Sequence, residues 1–191
     1  MVKENIFILH SLNADTLKMW ANDVIANFEN KLQVIAPQFP IRAESRYEKF
    51  DEILSKYLED GTLNEESIVI CHSIGNPYFI RFCREHNFSA KAYIAVAPGA
   101  LYEYPSTRTD YIVEVKKQSY LKQPDFEYGK TMKNVYLFYS DEDDGNLEKF
   151  TRFEKDFGAK AFYLKGYNHF DGYHEIKQIP ELIDLLNKIT K

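Results

Sequence analysis

Short apolar runs alternate along this chain with stretches whose apolar residues recur at helical spacing. Asn5–Leu9, carrying Ile6, Phe7, Ile8 and Leu9, reads as a strand buried on both faces, and a helix is expected from about Asp15 to Glu29. Leu32–Ala36 is the next strand and stops at Pro37. Tyr47–Leu58 places Phe50, Ile53, Leu54, Tyr57 and Leu58 on one helical face, with Gly61 as a stop. Strand Ser67–Cys71 leads into a helix over Asn76–Glu85, whose Phe79, Ile80, Phe82 and Cys83 point inward. Lys91–Ala97 is a strand closed by Pro98-Gly99. Asn134–Tyr139 and Lys160–Leu164 are two more, separated by an amphipathic helix at Leu147–Phe157, and Gln178–Ile189 is a final helix. Only Pro98 to Lys133 has a weak pattern; a short helix around Tyr111–Tyr120 is expected there, in a segment forming a wall beside the site.

Strands buried on both faces and separated by helices predict an α/β fold. The expected architecture is a three-layer α/β/α sandwich on a mostly parallel sheet of about six strands with right-handed crossovers. Its 191 residues, with no repeat, low-complexity tract or linker, read as a single domain over 1–191. In such open sheets functional groups gather at the carboxyl ends of the strands.

Composition narrows the classes of function. The hydrophobic share of 45% and charged share of 28% are those of a globular protein, and a net charge of −5 argues against a nucleic-acid surface. No apolar run approaches the roughly 18 residues needed to span a bilayer, and no secretory leader is recognisable, so no membrane association and a cytoplasmic location are expected. Cys71 and Cys83 form no metal-ligand pattern, and both are expected to be buried and inert as nucleophiles. His169 and His174 with Asp171 and Glu175 lack the spacing of a metal site; no metal and no cofactor is expected.

The chemistry lies in Cys71-His72-Ser73-Ile74-Gly75, where a serine stands between a β-branched strand and a helix. A sharp strand-to-helix turn strains the serine backbone, lifts Oγ clear of the sheet and aims the next backbone N–H at the same space. A serine hydroxyl is a weak nucleophile and needs an imidazole oriented by a carboxylate. In the chain order serine, acid, histidine, the base follows the last strand. His169 in Gly166-Tyr167-Asn168-His169-Phe170 is the candidate, ahead of His174. The acid follows the penultimate strand in Ser140-Asp141-Glu142-Asp143-Asp144: Asp143 is the choice, Asp141 the reserve and Asp144 third. The oxyanion hole needs two N–H groups. One is expected from Ile74, the other from Leu12, with Ser11 as alternative, in the His10-Ser11-Leu12-Asn13 loop after the first strand.

With these parts in place, the chain resembles the small α/β-hydrolases of the retinoblastoma-binding protein 9 and YdeN group over nearly its whole length. The resemblance rests on the His10-Ser11 loop leading to Trp20, Ala36-Pro37-Gln38-Phe39-Pro40, His72-Ser73-Ile74-Gly75, Ser140-Asp141-Glu142-Asp143 and His169-Phe170. It implies a reduced α/β-hydrolase fold with no large cap domain, and a serine hydrolase acting on small carboxyl esters or peptide-like amides. The chain departs from the family in Cys71 for the leading elbow glycine, Ser11 for a glycine, and Asp144 for the proline after the acid. The second function class is a binding protein on a hydrolase scaffold with a slow or vestigial triad. Substrate-binding residues, a protein partner and the oligomeric state are not assignable from the sequence.

Overall fold

Apart from Asn5 and His72 at strand ends, the residues of the central strands are apolar or small, and strand geometry sends alternate side chains to opposite faces, so such a run must be covered on both sides. The computed structural model describes residues 3–13, 18–103, 111–141 and 147–190. Among them, six strands form one sheet: β1 (Asn5–Leu9), β2 (Gln33–Ile35), β3 (Ser67–His72), β4 (Ala92–Val96), β5 (Val135–Tyr139) and β6 (Lys160–Tyr163). The order is β2-β1-β3-β4-β5-β6 and every pairing is parallel.

Phe7, Leu9, Val69, Cys71, Tyr93 and Ala95 face one layer, while Ile6, Ile8, Ile68, Ile70, Ile94 and Val96 face the other. Helices α1 (Trp20–Phe28) and α7 (Pro180–Ile189) cover the second face through Trp20, Val24, Phe28, Leu182 and Leu186. Helices α2 (Tyr47–Glu59), α3 (Gly75–Glu85) and α6 (Glu148–Phe157) cover the first, burying Phe50, Leu54, Phe79, Phe82, Phe150 and Phe153. The same layer holds the shorter α4 (Tyr111–Ser119) and α5 (Gln123–Gly129). This is the expected three-layer sandwich. Cys71, in place of a glycine, sits in register between Leu9 and Ala95 and is fully buried without displacing the ladder.

The topology positions the site. From β1 the chain crosses to β2 on one side, with α1 on one face; from β3 it crosses to β4 on the other side, with α3 on the opposite face. The two crossovers therefore share one hand, and a crevice opens above the carboxyl ends of neighbouring β1 and β3, where open α/β sheets hold their ligands. The loops containing Leu12 and Ser73 both leave from that crevice.

Two expectations are revised. Helix α1 begins at Trp20 rather than near Asp15, and residues 14–17 lie outside the described set. Helix α5 was not foreseen. It has only seven residues, with Pro at its start and Gly129 at its end, too few positions for a period to register. Its start is fixed from outside: Asp125 accepts the Lys122 N–H at 2.8 Å and the Arg84 Nε–H from α3 at 2.6 Å. Nearby aromatics pack the layer instead of lining a pocket. Tyr102 stacks on Phe126 (5.4 Å, 10°), and the Tyr128 hydroxyl donates to the Phe88 carbonyl at 2.7 Å. No helix among the described residues is long and apolar enough to cross a membrane.

Candidate active site

Ser73 follows β3 directly and has φ of 52°, the left-handed region that costs an L-residue on the order of 1 kcal/mol. Its surroundings hold it there. The Ser73 N–H donates to Val96 O at 3.0 Å. Its carbonyl accepts from Asn76 N and Gly99 N, each at 3.2 Å, and from Asn76 Nδ2 at 2.8 Å. Asn76 is itself fixed by the buried Tyr93 hydroxyl, which donates to Asn76 Oδ1 at 2.7 Å. Two glycines make room for the turn. A Cβ on Gly75 would lie 3.0 Å from Leu9 O and 3.2 Å from His10 O, so α3 can start hard against the end of β1. A Cβ on Gly99 would lie 3.2 Å from Ser73 Oγ and crowd the hydroxyl. Asn76, Tyr93 and Gly99 gave no signal in the sequence beyond their packing class.

Ninety-six residues later the chain returns to the same point. His169 Nε2 lies 2.9 Å from Ser73 Oγ, and both side chains are partly open to solvent. The loop that carries His169 is pinned below β5 and β6: Gly166 N–H donates to Asp141 Oδ1 at 2.9 Å and Tyr167 N–H to Ser140 Oγ at 3.0 Å. Further along, the Trp20 Nε1–H donates to Phe170 O at 2.9 Å and the His72 Nε2–H to His169 O at 2.7 Å. His174 is directed elsewhere, its Nδ1 2.7 Å from Asp171 Oδ1.

The loop after β1 is organised by His10. Its Nδ1–H donates to Ser11 O at 2.7 Å and its Nε2 accepts the Phe39 N–H at 2.9 Å, which fixes a neutral tautomer. Burial lowers its pKa from the ordinary histidine value, against the raising effect of the Ser11 carbonyl. The peptide joining Ser11 to Leu12 is trans, so holding the Ser11 carbonyl on His10 turns the Leu12 N–H the opposite way. Arg42 N–H ties the loop a second time, donating to Leu12 O at 2.8 Å. Between this loop and the start of α3 runs a narrow pocket bordered by Ser11, Phe39, Phe50, Ile74 and Tyr78, with about 10 Å³ of room, the scale of one water molecule.

The carboxylates fall into two groups. Asp143 and Asp144 lie outside the described residues. Asp141 is described, and its carboxylate takes the Gly166 N–H and the Ser140 hydroxyl (3.0 Å), which lower its pKa from the ordinary aspartate value, the Gly166 bond foremost. That use ties two loops together. Both cysteines are buried and their thiol pKa values are pushed up by burial, which keeps them protonated and unreactive. Among the described residues no group of three or more His, Cys, Asp or Glu could hold a metal ion.

Sheet order, crossover hand and a strained serine at the switch point define the class: this chain has the α/β-hydrolase fold. Within it, the chain is similar to the ydeN gene product of Bacillus subtilis, with a TM-score of 0.81, 19% sequence identity and 98% of each chain covered. A carboxylesterase structure from the thaumarchaeon Nitrososphaera gargenis superposes at TM-score 0.68 and 14% identity, covering 97% of this chain and 89% of that one. The carboxylesterase CesB of Bacillus subtilis gives 0.61 and 12%, over 98% and 83%. No family model and no curated protein sequence matches the chain.

Proposed function

We propose that this chain is a serine hydrolase of the YdeN-like kind that cleaves a small carboxyl ester or amide through an acyl-enzyme. The observation that carries the reading is the 2.9 Å between Ser73 Oγ and His169 Nε2, at the strand ends where the fold gathers its ligands. Ser73 Oγ attacks the substrate carbonyl while its proton passes to His169 Nε2. The oxyanion of the tetrahedral intermediate takes the N–H groups of Ile74 and Leu12. His169 then gives the proton to the leaving alcohol or amine, and an acyl-Ser73 ester remains. Water, deprotonated by His169, attacks that ester; its collapse releases the acid and returns the proton to Ser73. Asp143, three positions beyond Ser140, holds the His169 Nδ1–H and balances the imidazolium charge. No metal or cofactor enters any step. Similar folds in proteins named as carboxylesterases support the ester as substrate.

A fluorophosphonate probe and a set of p-nitrophenyl esters test this together. Wild-type protein should be labelled at one site and turn over these esters. Ser73→Ala should lose the label and, if the loss in subtilisin carries over, on the order of 10^6 in kcat. Full turnover by a folded Ser73→Ala protein, or a wild-type protein that neither labels nor turns over, would overturn the reading; the latter outcome would favour a binding protein on this scaffold.

A further inference from the structure

His169 is held between two residues of left-handed backbone, Asn168 at φ 50° and Phe170 at φ 53°. Asn visits this region readily but Phe does not, so at Phe170 something outside the turn must impose the shape. The donors that do so come from two separate elements. His72 at the end of β3 donates Nε2–H to the His169 carbonyl at 2.7 Å, and Trp20 at the start of α1 donates Nε1–H to the Phe170 carbonyl at 2.9 Å. Both side chains are fully buried, at 0% exposure. They also fix one another, the two rings meeting edge to face at 6.1 Å and 89°. The His72 ring lies 5.1 Å from the His169 ring, on the inner side of the base.

We infer that His72, seconded by Trp20, is a positioning residue for the base: it holds the His169 backbone so that the imidazole meets Ser73. The inference rests on the hydrolase reading above. Its consequence is that one strand end serves two groups, since Ser73 is the next residue after His72. The nucleophile and the clamp on its base therefore move as one unit, and the Ser73–His169 distance is set across a single peptide. A buried histidine placed there for packing alone would be replaceable by any side chain of its size. One placed as a donor would be replaceable only by a side chain with an N–H at the position of Nε2. Glutamine carries its amide nitrogen at that reach; methionine matches the volume and carries no donor.

The test compares wild type, His72→Gln and His72→Met by ester kinetics, fluorophosphonate labelling rate, and hydrogen exchange of the amides of 166–171. Methionine should lower kcat and the labelling rate about 10²-fold with KM within about twofold, the size of loss expected for an angstrom of misplacement. It should also speed exchange in the loop. Glutamine should restore most of both. Methionine equal to wild type, or a folded glutamine variant no better than methionine, would overturn the inference. If His72→Met does not fold, Trp20→Phe removes the second donor while keeping an aromatic ring in the core, and should give the same pattern, a lower kcat at unchanged KM. A wild-type protein without label or turnover would instead sink the hydrolase reading. The exchange comparison would still decide whether His72 holds the loop.

Discussion

Ser73 on one side of the site and Asn168 and Phe170 on the other all stand at positive φ, 52°, 50° and 53°. The two turns are held by different parts of the chain. The bonds on Ser73 come from Asn76, Val96 and Gly99, all within a single β3–α3–β4 unit. Those on the loop of His169 come from Trp20, His72, Ser140 and Asp141, from 25 to 150 residues away. The Ser73 turn is therefore complete once β3, α3 and β4 have come together. The base loop takes shape only when α1 has docked on one face and β5 and β6 have joined the far end. Segments whose order depends on many distant contacts open at lower free energy than the unit they rest on. The contrast identifies the base loop as the part of the site that perturbation reaches first.

The largest test of this contrast concerns the acids that follow β5 in the chain. Asp143→Asn should lower kcat on the order of 10^4-fold, as loss of the carboxylate that fixes a histidine tautomer does elsewhere, with little change in stability. Asp141→Asn should do the reverse. It weakens the bonds to Gly166 N and Ser140 Oγ, so loop exchange rises while kcat changes by less than about tenfold. Steady-state kinetics with loop hydrogen exchange on both variants separates the two roles. A larger kcat loss in the Asp141 variant would transfer the orienting role to Asp141.

The nucleophile side should answer with stability. Asn76→Ala removes the side-chain donor to the Ser73 carbonyl and strands the Tyr93 hydroxyl, which is 1% exposed. An orphaned buried hydroxyl costs about 1–3 kcal/mol, and urea unfolding should show a loss of that size. Tyr93→Phe, which removes the hydroxyl along with its need for a partner, should cost less. Equal losses in the two variants would mean that Tyr93 and Asn76 do not act as a pair.

The same division governs what could be read from the chain alone. Strands β1 and β3 follow from unbroken apolar runs, and the elbow follows from a serine at the end of one of them; these signals are local, a few residues long. His169 is expected near Ser73 from chain order, because a parallel sheet places successive strand ends along one edge; its Nε2 lies 2.9 Å from Ser73 Oγ. What lay hidden depends on pairings that no period records. His72 looks like a spacer before the serine, and Trp20 like any core aromatic at the seam of a helix and a loop. Their indole and imidazole N–H groups acquire a task only when the chain beyond β6 folds back over α1. Helix α5 escaped for a related reason, since Arg84 of α3 and Asp125 fix its start across 41 residues. Tyr102, Phe126 and Tyr128, in the segment expected to form a wall beside the site, follow α5 into the helix layer.

The smallest expected effect lies at His10, where the β1 loop couples to pH. The neutral ring gives Nδ1–H to Ser11 O and receives the Phe39 N–H at Nε2, so a second proton on Nε2 would face a donor. Burial already lowers the pKa below the ordinary value of 6.5. With the folded-state pKa below the unfolded one, the unfolded chain binds the extra proton more readily. The stabilisation from neutral His10 is therefore whole above about pH 6.5 and is lost as pH falls through the folded value. Urea midpoints measured between pH 7.5 and 5.5 should fall for wild type by more than for His10→Gln, which cannot titrate. The difference should amount to about 1 kcal/mol or less at the acid end, since one pKa unit is worth about 1.4 kcal/mol. Parallel slopes for the two proteins would mean that His10 does not couple this loop to pH. Acid sensitivity of the site would then have to be sought on the base-loop side, where Asp141 loses its bond to Gly166 only at much lower pH.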